Sequence, residues 1–362
     1  MSTPSFVKKY QLEAIELLSS LIRTPSFSRE EVETAAILGR FFDNRGIPFE
    51  KKGNNIWAKN KHFDSGKRTI LLNSHHDTVK PNAGYSRNPF EAFVEEGKLY
   101  GLGSNDAGGC LVSLLLTFAH FYEQENLPFN LITAATAEEE ISGKGGLESI
   151  MNELGAIEFA IVGEPTEMKM AVAEKGLMVL DCSVRGTSGH AAREEGVNAI
   201  YKALQAIEWF RTYQFEKESN LLGPIKMSVT MIKSGYQHNI VPDHCEFVVD
   251  VRTTDAYTNE EVLETIQQQV YCEVQARSTR LKPSGLPSKM LLYQAADSLG
   301  IEQFGSSTTS DQAILDIPSA KMGPGKSQRS HTANEFIYLK EIEEGIEGYV
   351  ELLNELMSKR KN

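Results

Sequence analysis

Three short runs, RTILLNS at 68–74, FNLITAAT at 129–136 and FAIVGEP at 159–165, are dense in apolar and β-branched residues and lack the polar alternation of a half-exposed strand. Strands read this way when both faces are buried, as in a parallel sheet covered by helices on either side. The intervening chain supplies helices. Ser28 and Glu31 stand at capping-box spacing ahead of ETAAILGRFF, and Gly46 can provide a left-handed end. The expected fold class is therefore α/β with a mostly parallel sheet.

From about Gly176 the texture changes. LMVLDCSVRG, IKMSVTMIKSG, HCEFVVDVRTT and CEVQARS read as alternating strands, with helices beginning near Gly196 and at a Thr258/Glu261 capping box. The order β-α-β-β-α-β is that of a split βαβ layer with one open face. Beyond LKPSGLPSK the α/β texture resumes with MLLYQAADSL, SAKMGPG and a closing helix after Leu339. Residues 1–175 and 290–362 are thus expected to form one discontinuous domain, with 176–289 an inserted α+β domain. A site in the first domain can then draw on both ends of the chain.

The 362 residues suit about two domains. The longest apolar segment, from Leu111 to Ala119, is interrupted by Ser113 and Thr117, so no membrane span is expected. The N-terminal stretch has no secretory pattern, making a cytoplasmic location the default expectation. Cys110, Cys182, Cys245 and Cys272 are widely spaced with no C-x-x-C pair, and are expected to be reduced, mostly buried thiols. With a net charge of −12 and no dense basic cluster, nucleic acid is not an expected partner.

Some carboxylates, however, lie beside apolar strands. LLNSHHDTVKP leaves a strand at 71–81, and strand alternation puts His75 and Asp77 on one side and His76 on the other. GLGSNDAGG at 101–109 sets Asp106 in a glycine-rich loop before an apolar helix, where capping alone would explain an aspartate. TAATAEEEISGKGG at 133–146 puts three glutamates after a strand, FAIVGEPTE ends a strand at Glu164, and SQRSHTANE carries His331. Each has an ordinary explanation by itself: a cap, a solvated turn, a packed histidine. Their joint order does not.

In that order the motifs resemble the M20 metallopeptidase family, the acetylornithine deacetylase and succinyl-diaminopimelate desuccinylase group, over nearly the whole chain. The resemblance implies two zinc ions, with cobalt a possible substitute. His75 and Glu164 would hold one, His331 and Glu140 the other, and Asp106 both, with a cis peptide following Asp106. Nitrogen and oxygen donors with an open position for water suit zinc. Glu139 is implied as general base, and Asp77 as the group orienting His75.

VRGTSGHAAREEGVNAI resembles the family segment whose histidine, here His190, stabilises the tetrahedral intermediate, usually from the partner subunit. A homodimer through the inserted lid domain is implied. SGYQHNIVPDHCEFVVDVR matches the segment supplying Asn239 and Arg252 for a substrate carboxylate, and Ser310, Asp311 and Gly325 are candidates in the substrate-side loops SSTTSDQ and MGPGKSQRS. Arg252 has an alternative partner in Asp250, and Asp311 has one in helix capping. Two positions depart from the family pattern: His76, between ligand and aspartate, and Glu138, where many relatives carry Asp.

The expected reaction is hydrolysis of the amide of a small N-α-acyl amino acid, most like that of acetylornithine deacetylase in arginine biosynthesis. Desuccinylation of succinyl-diaminopimelate, deacylation of N-succinylornithine or N-acylcitrulline, deacylation of a carrier-protein-bound amino acid, and di- or carboxypeptidase action stay open. A metal-binding but inactive module is disfavoured by the presence of Glu139.

Overall fold

The computed structural model describes residues 3–193 and 195–359. The chain forms two compact units. The larger takes the chain up to Val172, Gly285–Phe304 and everything from Ser310 onward; the smaller is Ala173–Ser284 with Gly305–Thr309. The smaller unit thus also takes back a five-residue segment that the sequence pattern leaves with the larger one.

In the larger unit the strands run in the order Glu50–Lys52, Asn55–Lys59, Asn130–Thr136, Thr69–His75, Phe159–Val162 and Ser319–Lys321. The last four are mutually parallel, as expected, and the first two form an antiparallel edge. Why these runs lack polar alternation is visible in the packing. Along Thr69–His75, Ile70 and Leu72 face one cluster while Leu71 faces another, and Leu131 and Ile132 divide in the same way. On one face lie the helices Thr3–Ile22, Gly109–Phe121 and Leu339–Lys359; on the other, Leu147–Leu154 contributes Leu147, Ile150 and Leu154. Burying both faces excludes water from the strand backbones and leaves only their ends free for chemistry.

The smaller unit has four antiparallel strands in the order Lys226–Ser234, His244–Thr253, Gly176–Arg185, Glu273–Ala276. With the helices Ala199–Thr212 and Asn259–Gln269 this is the split βαβ arrangement expected from the sequence. Alternation is clean on Gly176–Arg185: Met178, Leu180, Cys182 and Val184 meet Ala203, Phe210, Val262 and Ile266. On the other face Asp181 and Arg277 form a bidentate pair at 2.8 and 2.9 Å. Thr258 and Glu261 make the predicted capping box.

The other predicted box is not formed. The helix Val32–Asp43 has Glu31 at its N-terminal boundary with no side-chain cap. The Ser28 hydroxyl instead donates to Asp77 Oδ2 at 2.7 Å, while Glu31, fully buried, accepts from the Arg29 and Glu138 backbone N–H groups and the Asn54 amide. Both side chains have been drawn into a buried polar network, which gives Ser28 a carboxylate to donate to and Glu31 three donors to accept from. All four cysteines are free, and three are buried. No helix among the described residues is long and apolar enough to cross a membrane.

Candidate metal centre

His75 is the last residue of its strand and is 1% exposed. Its Nδ1 faces the Asp77 carbonyl at 3.0 Å and Asp77 Oδ1 at 3.4 Å, so the ring proton sits on that nitrogen. Nε2 is left buried with no hydrogen-bond partner, its lone pair toward Asp106 Oδ1 at 3.3 Å, Glu164 Oε1 at 3.7 Å and Glu139 Oε2 at 4.0 Å. His76 turns the other way, as alternation predicts. Its Nε2 donates to the Asn54 carbonyl at 3.0 Å and its Nδ1 meets the Thr34 hydroxyl at 2.9 Å.

A second group gathers across Asp106. His331 Nε2 lies 2.9 Å from Glu140 Oε2 and 3.6 Å from Asp106 Oδ2. The two oxygens of Asp106 therefore address different histidines, Oδ1 toward His75 and Oδ2 toward His331. The peptide from Asp106 to Ala107 is cis. His75, Asp106 and Glu140 offer ligand atoms all within 4.8 Å of one another.

Asp77 ties these pieces together. Oδ1 accepts the Glu139 backbone N–H at 3.0 Å, and Oδ2 accepts that of Glu140 at 3.2 Å beside the Ser28 hydroxyl. Behind the centre, Asp311 Oδ2 accepts from the Asn73 amide at 2.8 Å and the Thr136 hydroxyl at 3.0 Å. Opposite, buried Glu335 accepts the backbone N–H groups of Gly103, Asn105 and Asp106.

The electrostatics are those of a site short of positive charge. Burial pushes the Glu139 carboxyl well up, and the charges of Glu164, Asp311 and Glu140 add to it. Burial raises Glu140 too, with Asp106 adding. Burial opposes the charged form of His75, yet the surrounding carboxylates of Asp106, Asp77 and Glu139 lift it well above the ordinary imidazole range. The Glu140 hydrogen bond raises His331 to about 9. Burial and the Asp106 charge raise Glu335 to about 8, against the pull of its three N–H donors. Asp77 stays low despite burial, held down by His75 and Ser28. An orphaned buried imidazole nitrogen among carboxylates that resist sharing negative charge fits a bound divalent cation.

The substrate-side candidates are divided between the two units. In the smaller unit the Arg252 fork is taken by Asp250, with Nε at 2.8 Å and Nη2 at 2.9 Å, and Nη1 donates to the Thr309 hydroxyl. The strand Gly189–His190 pairs with Ile240–Val241, and the Ala191 N–H donates to the Asn239 carbonyl, so His190 and Asn239 are neighbours. Asn239 Oδ1 is buried without a partner. In the larger unit Ser310 accepts the Gln312 N–H as a helix cap. Gly325, at φ 91°, leaves room for Asn105, whose Oδ1 would lie 2.5 Å from any Cβ placed there.

The parts played by Ser28, Glu31 and Glu335 leave no sequence signal. Carboxylates that accept backbone N–H groups have no period, and Glu335 is visible in the sequence only as the end of the His331 motif.

A parallel α/β sheet whose strand ends gather two imidazoles around a shared aspartate, with glutamates on either side, defines a metal-dependent hydrolase. The sequence pattern of Peptidase family M20/M25/M40 matches residues 71–355, and the chain belongs to that family, a metal-dependent amidohydrolase. It is 27% identical to an acetylornithine deacetylase of Proteus mirabilis, over 91% of this chain and 93% of that protein. It is 24% identical to a succinyl-diaminopimelate desuccinylase of a Ruegeria species, over 72% and 70%. In fold it is similar to an M20 metallo-carboxypeptidase of Sulfolobus solfataricus, with a TM-score of 0.75 at 18% identity, covering 96% and 99% of the two chains.

Proposed function

We propose that this protein hydrolyses the amide of a small N-α-acyl amino acid at a centre for two zinc ions, with N-acetylornithine the first candidate substrate. The observation that carries the reading is the division of the cluster about Asp106: His75 and Glu164 on one side, His331 and Glu140 on the other. These five residues would hold the two ions. When bound, such ions polarise the scissile carbonyl and make a water acidic near neutral pH.

The remaining steps belong to the chain. Burial and the neighbouring carboxylates raise the proton affinity of Glu139, and, ionised beside the bound cations, it is the proposed base that takes a proton from the attacking water and returns it to the leaving amine nitrogen. Asp77 holds the Glu139 and Glu140 N–H groups and the His75 ring, which fixes base and ligands together. His190 is the proposed donor to the developing oxyanion. Asn239 and Arg252 are the proposed groups for the substrate carboxylate, Arg252 reaching it with the nitrogen that now meets Thr309. Ser310 and Gly325 are proposed to shape the pocket for the rest of the substrate.

The likeness over more than nine-tenths of both chains to a protein named acetylornithine deacetylase supports the acetyl substrate. The desuccinylase likeness keeps succinyl derivatives in the same assay. Lys226–Ser234 is an edge strand with Met231 and Ile232 exposed, which supports a homodimer formed through the smaller unit. Zinc-loaded protein, with a chelated control, should release free amine from acetyl or succinyl derivatives of ornithine, citrulline, lysine or diaminopimelate. Release from dipeptides alone would replace the deacylase reading by a peptidase one, and release from nothing would refute both.

A further inference from the structure

The loop from Gly101 to Asp106 has left-handed or strained backbone at Gly101 and Gly103, with φ of 142° and 76°, so regular structure does not fix where Asp106 points. What fixes it lies on another segment. Glu335 is 2% exposed; its Oε1 accepts the N–H of Asn105 at 2.8 Å and of Asp106 at 2.9 Å, and its Oε2 that of Gly103 at 3.1 Å. Its backbone carbonyl accepts the Gly101 N–H at 3.0 Å.

The topology explains why one residue can do this. Lys98–Tyr100 and Phe336–Tyr338 are paired antiparallel strands, with Phe336 opposite Tyr100. Beyond that pair the two chains diverge, one running forward to Asp106 and the other back to His331. Glu335 stands at the fork, and its side chain spans it. Asp106 Oδ2 and His331 Nε2 lie 3.6 Å apart across the gap.

We propose that Glu335 is a positioning residue for Asp106: by clamping three N–H groups of the Asp106 loop from the His331 segment, it sets the spacing between the shared aspartate and the second histidine. This rests on the two-ion reading above. The role requires both reach and two accepting oxygens. Gln would keep the bonds to Asn105 and Asp106 but turn an amide N–H₂ toward the Gly103 N–H. Asp would keep the charge but fall one methylene short.

The test uses the full-length protein and its Glu335→Gln, Glu335→Asp and Glu335→Ala variants, titrated with zinc by calorimetry after chelation and assayed at saturating zinc. Glu335→Gln and Glu335→Asp should stay folded, bind zinc about 10- to 100-fold more weakly, and lose at least about tenfold in kcat with KM within about twofold, in line with the usual cost of removing a group that orients metal ligands. Glu335→Ala leaves three buried donors unmatched, and if it does not fold the other two variants carry the test. Wild-type-like zinc affinity and kcat in Glu335→Gln would overturn the proposal, as would a Glu335→Asp variant equal to wild type, since charge alone would then suffice. A lower unfolding temperature with unchanged zinc affinity and kcat would show a merely structural role and also overturn it. The wild-type titration reads the underlying function separately: if wild type takes up no zinc, the metal reading fails and this one with it, whereas wild-type uptake with unaffected variants sinks only the role of Glu335.

Discussion

The Asp77 carboxylate accepts the backbone N–H of Glu139 at 3.0 Å while the same residue faces Nδ1 of His75. One side chain thus fixes the orientation of a proposed ligand and the position of the proposed base, from adjacent parallel strands. Asp77→Asn keeps an accepting oxygen but turns an amide toward groups that already donate. The expected result is a folded protein whose zinc affinity or kcat falls about 10- to 100-fold, read by zinc titration and steady-state kinetics. A variant with wild-type affinity and turnover would show that Asp77 orients neither group.

Glu139 and His331 should separate chemistry from metal binding. Glu139→Gln keeps the shape of the side chain and removes the base, so both zinc ions should be retained while kcat falls about 10²- to 10⁴-fold. His331→Ala removes a nitrogen that lies 2.9 Å from Glu140 and should lower bound zinc as well. Elemental analysis of the two dialysed variants decides the matter, and equal zinc loss in both would contradict the division of roles.

Removing the metal should cost stability as well as activity. Asp106, Glu139, Glu140 and Glu164 crowd around His75 and His331, and a ligand bound only by the folded chain stabilises it by about 2.7 kcal/mol at 100 times its Kd. Thermal unfolding of the chelated protein should therefore begin at a lower temperature and recover on adding zinc. In His75→Ala, most of that zinc-dependent gain should be missing.

How much of this was legible in the sequence follows from which interactions leave a periodic trace. The buried strands at 68–74, 129–136 and 159–165 announce themselves because both faces are apolar, and the structure confirms the parallel sheet they predict. Alternation likewise places His76 away from His75, where Thr34 and Asn54 hold it. Ser28 and Glu31 mislead because capping-box spacing is a local pattern, whereas their actual partners, Asp77 and Asn54, are brought to them only by the folded sheet. The return of Gly305–Thr309 to the smaller unit is equally silent in the sequence, since Thr309 belongs there through bonds to the Lys175 carbonyl and Arg252.

Asp311 gives a pH-dependent prediction with a definite sign. Burial raises its carboxyl from the ordinary 3.8 to about 6, against hydrogen bonds from Asn73 and Thr136 that favour the charged form. Because the folded state holds this proton more tightly than the unfolded state, the associated stability is fully present below pH 3.8 and is lost as pH rises through about 6. Each tenfold difference in proton affinity between the two states is worth about 1.4 kcal/mol, so the loss at neutral pH is about 3 kcal/mol. Asp311→Asn keeps an oxygen to accept from both Asn73 and Thr136 and carries no charge at any pH. In urea unfolding of the chelated proteins, the variant should match wild type near pH 3.5 and exceed it by about 3 kcal/mol at pH 7, the gap opening between about 4 and 6. Bound zinc supplies the missing positive charge and should narrow the gap. A variant less stable than wild type at pH 7 would mean that the Asp311 charge supports the fold rather than burdening it.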